Sequence, residues 1–312
     1  LTPFQFGVLF EKRRELIVKK VFRIIGIVIG SIIGLVLVAG MVLYFMGNAR
    51  LNKTYDFPLS NLIIPTDEAS IAYGKQQTEF FCTGCHGEDL GGVEKWLDVG
   101  ALGTVDSANL TTGEGGVGRE FTSDEDYVRA IRHGIDPDGK PIYMPAVSAT
   151  SHISDQELSA IIAYIKTVPP VDHQTSGHQF TPLGKIILAL DMVPPPPVET
   201  VSHKVHVTAP EPGVTVEYGK YLVDVMDCRL CHGQNMTGER FPDPTVKVKV
   251  PDVTSGGEVG FWSEEQFIHM IRTGVTPGGH ELNPELMPWE EINVRTSDDD
   301  LSAIYMYLQE LP

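Results

Sequence analysis

Cysteine is scarce in this chain of 312 residues. Four occur, at Cys82, Cys85, Cys228 and Cys231, and each pair lies in a C-x-x-C-H segment. A scaffold held by disulfides between distant segments is therefore excluded. Positive charge is scarce once the first 50 residues are set aside: they carry seven Lys/Arg against two Glu, whereas residues 51–312 carry a net charge of −22. A body so acidic argues against a nucleic-acid partner and favours a partner with a basic face. The 31 glycines lack a three-residue period, which excludes a collagen-like chain, and 42% hydrophobic residues are too many for disorder as the main state.

Long apolar runs are reduced to one. Ile24 to Met46 is an uncharged stretch of 23 residues, about 35 Å as a helix against a hydrocarbon core of roughly 30 Å. It exceeds the h-region of a cleaved signal peptide and is expected to be an uncleaved single-pass anchor. Lys12, Arg13, Arg14, Lys19, Lys20 and Arg23 precede it, and only Arg50 and Lys53 follow closely. The positive-inside rule then leaves the N-terminus in the cytoplasm of a bacterial cell and the acidic body on the periplasmic side. Gly26, Gly30 and Gly34 recur every fourth residue, a smooth ridge against which a helix of an integral membrane complex can pack. Phe4, Phe6, Leu9 and Phe10 in the leading segment suit an interfacial helix, a docking peptide or a frayed tail.

The body repeats itself. Tyr73-Gly74-Lys75 matches Tyr218-Gly219-Lys220, and His86-Gly87 matches His232-Gly233. Phe121, Ser123, Ile131, Arg132, Gly134, Pro137 and Gly139 recur as Phe261, Ser263, Ile271, Arg272, Gly274, Pro277 and Gly279. Ser154-Asp155 and Leu158 to Ile161 recur as Ser297-Asp298 and Leu301 to Ile304. Each copy reads as three principal helices: one leading into the cysteine pair, one starting after Ser123 or Ser263 and stopping at Gly134 or Gly274, and one starting after Ser154 or Ser297. Strand signals are nearly absent inside the copies. The expected boundaries are 1–23 for a cytoplasmic segment, 24–46 for the span, 51–171 and 213–312 for the two copies, and 172–212 for a Pro-rich connector. In that connector Pro194 to Pro197 is stiff, Leu183 to Val193 is apolar, and the alternation of Val201, His203, Val205 and Val207 suggests one strand.

Two cysteines three apart at a helix end present both thiols to the two vinyl groups of one haem, and the following histidine lies under the iron. Cys82-Thr83-Gly84-Cys85-His86 and Cys228-Arg229-Leu230-Cys231-His232 both meet this requirement, so two covalently bound haem c groups are expected. Zinc would need further ligands at compatible spacing, and a thioredoxin-like pair would need a βαβ setting. His86 and His232 are the expected iron ligands on one side. For the other side, Met144 is the single methionine between His86 and the connector, and it precedes Pro145. In the second copy Met236 lies too near the attachment segment, Met270 and Met306 fall in helices, and Met287 stands before Pro288, so the repeat singles out Met287. His133, His152 and His280 are competing ligands; His133 faces Thr273 and His280 faces Lys140 across the repeat, which makes surface or secondary roles the expectation. Arg132 and Arg272 either bind a haem propionate or act as solvated cations at a helix end. Tyr73, Tyr218, Tyr164 and Tyr307 read as helix-contact aromatics.

With these motifs the chain resembles a di-haem member of the class I cytochrome c superfamily. The resemblance implies an all-α fold, an N-terminal transmembrane helix followed by two tandem class I cytochrome c domains. The run from Asn109-Leu110-Thr111 through Gly118, Phe121, Ile131-Arg132-His133-Gly134 and Pro137-Asp138-Gly139 to Met144-Pro145 is also similar to the cytochrome c subunits of bacterial membrane-bound alcohol, aldehyde and gluconate dehydrogenases. Those subunits carry three haem motifs, and this chain carries two. The resemblance implies an electron relay without catalysis of its own, as a subunit of a respiratory or photosynthetic complex or as a tethered carrier. The competing readings are a haem enzyme of di-haem peroxidase type, with one iron open to substrate, and the cytochrome subunit of a periplasmic dehydrogenase.

Overall fold

The computed structural model describes residues 3–238, 241 and 246–312, with side chains from residue 18 onward. The expectations placed on the side chains of Phe4, Phe6, Leu9, Phe10, Lys12, Arg13 and Arg14 lie outside the described part. In chain order the first elements are α1 (Pro3–Leu51), α2 (Glu68–Phe81), α3 (Thr83–His86), β1 (Val93–Asp98), β2 (Gly103–Ser107), α4 (Asp124–Val128), α5 (Val147–Thr150) and α6 (Asp155–Ile165). There follow β3 (Gln179–Phe180), α7 (Pro182–Ala189), α8 (Val216–Val225), α9 (Cys228–His232), α10 (Glu264–Thr273), α11 (Trp289–Arg295) and α12 (Asp298–Glu310).

One compact unit comprises Leu1–Lys53, Asp98–Thr104 and Gln179–Pro195. Its main element, α1, is continuous through the apolar stretch and beyond both of its ends, and Val18–Leu51 is long and apolar enough to cross a membrane. The apolar run in the connector forms α7 rather than coil, capped by the Thr181 side chain, which accepts from the Gly184 amide, with Pro182 at the first helical position. β2 pairs with β3 antiparallel, with Gly103 opposite Phe180 and Thr104 opposite Gln179.

The other unit, Thr54–Leu97, Val105–His178 and Pro196–Pro312, holds both cysteine segments. Its two halves are built alike. Ser123, Ser154, Ser263 and Ser297 each stand at the N-cap of a helix in a capping box, and Gly134 and Gly274 end the middle helices in the left-handed conformation at φ 66° and 70°. α2 crosses α6 and α8 crosses α12. The crossings are so close that a Cβ on Gly74 would overlap the carbonyl oxygen of Ala160, and one on Gly219 that of Ala303. Around the first crossing pack Leu158, Ile161, Ile162 and Ile165; around the second pack Leu222, Val223, Leu301, Ile304 and Leu308.

Three expectations are corrected here. β1 and β2 interrupt the first half between its histidine and Asn109, where strands were not expected: Val93, Trp96, Leu97 and Val105 favour extended backbone in a segment too short for a helix. The middle helix of the first half is not uniform, because α4 passes into a widened π-helical turn at Arg129–His133, coincident with burial of the successive polar side chains Arg132 and His133. Residues 201–207 form no strand; they run irregularly along the start of α6, where the Val207 carbonyl accepts from the Asp155 amide at 2.8 Å. The glycine crossings make a sharp prediction: Gly74→Ala or Gly219→Ala lowers stability by about 1–3 kcal/mol or more in urea unfolding. Gly213→Ala, where a Cβ meets nothing within 4 Å, leaves the midpoint nearly unchanged.

Candidate functional site

Each attachment segment emerges from the C-terminal end of a helix whose position the glycine crossing sets. α2 ends at Phe81 and α3 carries Cys85 and His86; α8 ends at Val225 and α9 carries Cys228, Cys231 and His232. His86 and His232 are both buried, at 8% exposure each. Burial lowers the pKa of both imidazoles, which keeps them neutral as iron ligation requires. Each Nδ1–H donates to a backbone carbonyl, His86 to Ala108 at 2.6 Å and His232 to Pro251 at 3.0 Å. That bond selects the tautomer and leaves Nε2 as the free donor atom for a metal.

The two acceptor carbonyls are held by a matched turn that the sequence comparison of the halves had not aligned. Asn109 Oδ1 accepts from the Thr111 amide and hydroxyl at 2.9 and 2.8 Å, and Asp252 Oδ1 accepts from those of Thr254 at the same distances. The signal was present as Asn-x-Thr and Asp-x-Thr directly after Ala108 and Pro251. It was hidden because Asn and Asp differ in charge while sharing the accepting oxygen.

None of the four cysteines forms a disulfide. Burial pushes the Cys82 and Cys228 thiols up to about 12, the reverse of what a redox-active thiolate pair needs. In the second half Cys228, Cys231, His232 and Met287 line one cavity of about 850 Å³, walled by Met236, Phe267, Met270, Ile271 and Leu301 among others. This is a large apolar pocket with a few convergent donors, and the thiols, imidazole and thioether present fit a haem c. Two buried donors, Trp289 Nε1, two residues after Met287, and Arg132 Nε in the first half, have no protein acceptor.

The methionine loops are matched up to a point. Ile135 bridges Pro141 and Val275 bridges Glu281, with Gly139 and Gly279 turning at φ 80° in both. Ile142 then precedes Met144 by two residues, whereas Leu282 precedes Met287 by five, so three extra residues lengthen the second loop. Both methionines are half-buried. Met236 is a buried core residue held at φ 63°, Met270 is buried in α10, and Met306 stands on the exposed side of α12.

The matched arginines do a job that neither sequence reading described. Arg132 is 0% exposed and is not a solvated helix-end cation. It donates to Asp155 at 2.6 Å, to the Ile153 carbonyl at 2.9 Å, and to Ser60 and the Val205 carbonyl at 3.3 Å. Arg272 donates to Asp298 at 2.7 Å, the Thr296 carbonyl at 2.8 Å, and Asn293 at 2.9 Å. In both halves the end of the middle helix is thus tied to the first turn of the last helix. Of the two roles expected for His133, the surface one is corrected: it is fully buried, its Nδ1 lies 3.1 Å from His203 Nδ1, and Phe57 stacks on His203. His203 Nε2 bonds the Val198 carbonyl at 2.8 Å, so His133 supplies the shared proton. Burial, then the neighbouring His203, Arg132 and Arg129, pushes His133 down to about 4. His152 is half-buried near Asp224, and His280 lines the cavity of the second half.

The halves meet at their attachment segments. Met226 packs against both cores, touching the cluster that contains Phe81 and Cys82 and the one that contains Cys228. Ser148 in α5 donates to Asp227 at 2.5 Å, and the Tyr221 hydroxyl, bonded to Glu157, accepts from the Ser154 amide at 3.1 Å. Arg295 lies over the Phe80 ring at 4.0 Å.

Two matched C-x-x-C-H segments, one of them opening on a large apolar pocket, define a haem protein of the electron-transfer class. Residues 71–169 match the Cytochrome c family, and the chain carries a cytochrome c domain there. It is similar to the fructose dehydrogenase cytochrome subunit of Gluconobacter japonicus, 26% identical over 257 residues, which covers 74% of this chain and 50% of that protein. It is also similar to a diheme cytochrome c-type protein of Cereibacter sphaeroides, 25% identical over 254 residues, covering 74% of this chain and 82% of the relative.

Two predictions come from the buried polar groups. Arg132→Ala lowers stability by about 3–5 kcal/mol, the cost of breaking a buried ion pair. Arg272→Ala costs about 1 kcal/mol or less, because its side chain is 26% and that of Asp298 73% exposed; equal losses in urea unfolding would count against this division. The unfolded chain takes up a proton on His133 near the ordinary 6.5, whereas the folded protein resists until about 4. Stability is therefore full above 6.5 and falls by up to roughly 3 kcal/mol as pH drops towards 4. His133→Gln flattens that part of the stability profile, measured as urea midpoint against pH.

Proposed function

We propose that this chain is a membrane-anchored di-haem c-type cytochrome, with residues 51–171 and 213–312 as tandem class I cytochrome c domains. The carrying observation is the matched pair of imidazoles, each donating Nδ1–H to a backbone carbonyl and keeping Nε2 free beside two cysteines. Cys82 and Cys85 hold one haem c, and Cys228 and Cys231 the other, as thioethers. His86 with Met144, and His232 with Met287, are the residues that would hold the two irons. When bound, each haem supplies a one-electron iron couple; the surrounding residues set its potential.

The residues act in three ways. The carbonyls of Ala108 and Pro251 orient the imidazoles and make them better electron donors to the metal. The thioethers of Met144 and Met287 are soft donors that would favour the reduced state of a bound haem. The apolar walls exclude water, which further disfavours the more highly charged oxidised state. Contact of both cores through Met226 supports passage of electrons within the chain. Arg132 and Arg272, for which the sequence leaves propionate binding and a solvated helix-end cation both open, serve as struts, although the Nε of Arg132 keeps a proton for such a carboxylate.

The anchor reading places the N-terminus in the cytoplasm and the haem domains in the periplasm of a bacterial membrane. Gly26, Gly30 and Gly34 have open space where a Cβ would stand, which suits a helix of a membrane complex. A relative named as a dehydrogenase cytochrome subunit supports membership of such an oxidoreductase complex, in a non-catalytic role. The acidic body favours a basic-faced donor or acceptor.

The test is the full chain produced with a c-type cytochrome maturation system. Two covalent haems per chain are expected, falling to one in Cys228→Ala, with low-spin spectra and methionine charge-transfer bands in the oxidised protein. A high-spin haem with peroxide turnover would overturn the relay in favour of the peroxidase reading. Reduction by a basic partner slows steeply with salt, since exposed charges are screened beyond about 8 Å at physiological ionic strength.

A further inference from the structure

The connector helix α7 has an apolar side with no use in the cytochrome reading. Within its compact unit α7 lies on the last turns of α1, and backbone meets backbone: a Cβ on Gly47 would overlap the Lys185 carbonyl oxygen. Lys185 Nζ bonds Asn48 Oδ1 at 2.8 Å and lies 5.3 Å from the Tyr44 ring centre. Arg50 donates to the Leu188 carbonyl at 3.0 Å and to Asp191 at 2.7 Å. Leu188 is buried in this packing, whereas Gly184 is buried against the 98–104 segment of the same unit, where a Cβ would overlap the Leu102 carbonyl oxygen.

Leu183 and Leu190 remain 47% exposed and Met192 67%. Seven residues apart, Leu183 and Leu190 share a helix face. Lys185 is the sole charged residue from Pro182 to Leu190, and it reaches across to Asn48 of α1. A short helix apolar on its packed side and also on its open side is ill suited to water.

The height of this patch is set by α1. Its strongly apolar run ends at Met46; Gly47, where α7 crosses, is the next residue, and the first charge, Arg50, comes three residues further on. A helix of 23 residues is about 35 Å long against a hydrocarbon core of roughly 30 Å, which puts Gly47 in the headgroup layer. The polar partners agree, because tyrosine and long cationic side chains belong at that boundary.

We propose that α7 is a second membrane contact, an interfacial helix whose Leu183, Leu190 and Met192 insert between lipids beside the exit of α1. The occupant is the lipid surface, since the patch is continuous with a helix already seated in it. The connector between the two haem domains is thereby pinned to the bilayer at its midpoint. This inference rests on reading α1 as a membrane anchor.

The experiment uses the full, haem-loaded chain in phosphatidylcholine nanodiscs. In that form the four native cysteines are thioethers and an introduced one is the sole thiol. Leu190→Cys and Phe45→Cys are labelled separately with an environment-sensitive fluorophore. Both labels are expected to shift to the blue, to lose emission when the lipid carries a nitroxide near its headgroup, and to resist quenching by iodide. If Leu190→Cys perturbs the helix, Met192→Cys, beyond its end and largely exposed, gives the same reading. A Phe45 label open to iodide defeats the anchor reading itself. A protected Phe45 label with an iodide-quenched label at 190 or 192 overturns the interfacial helix alone. Protection seen in native membranes but not in nanodiscs assigns the patch to a protein and also overturns it.

Discussion

The glycine crossings come first in the physical order of this protein. At Gly74 and Gly219 a helix backbone presses against the carbonyl of Ala160 or Ala303, with no room for a side chain between them. From each crossing the first helix has about two turns left before its cysteines, at Cys82 and Cys228. A helix held that closely cannot slide or roll without losing its packing. The crossing therefore decides where the cysteines and histidine stand, and the turn after Ala108 or Pro251 needs only to offer one carbonyl to receive the imidazole.

The two halves use the same strut and bury it to different depths. Arg132 joins the middle and last helices and also grips Ser60 and the Val205 carbonyl, which come from the segments before and after its half. Arg272 makes the equivalent ties near the surface, and among the described residues its partners are Asn293, Thr296 and Asp298 alone. A guanidinium with its protons shared among several acceptors tolerates burial only when nearly all of them are met. The deeper arginine thus belongs to the half that carries a connector and a leader to cover it. Phe57, His133 and His203 continue the same cover.

Much of this was legible from residue types alone. Cap positions at Ser123, Ser154, Ser263 and Ser297 follow from side chains that bond their own backbone within four residues, and the glycine stops at 134 and 274 follow from local backbone freedom. The β1 and β2 segment and the irregular run at 201–207 were not legible, because extended backbone takes its partners from distant segments. The connector helix was visible only as an apolar run, since so short a helix forms through what it packs on rather than through propensity.

The sequence by itself determined the chemistry: which four sulfurs and two imidazoles stand at attachment spacing, the apolar length of α1, and the acidic body. Those features depend on spacing along one chain, which covalent geometry preserves in any fold. Tertiary structure decided the rest. It chose the tautomer of His86 and His232 through carbonyls about 20 residues away, turned Arg132 into a buried strut, brought Met226 against both cores, and laid α7 against the end of α1. Each of these is a contact between groups far apart in sequence, and such contacts exist only once the helices have packed.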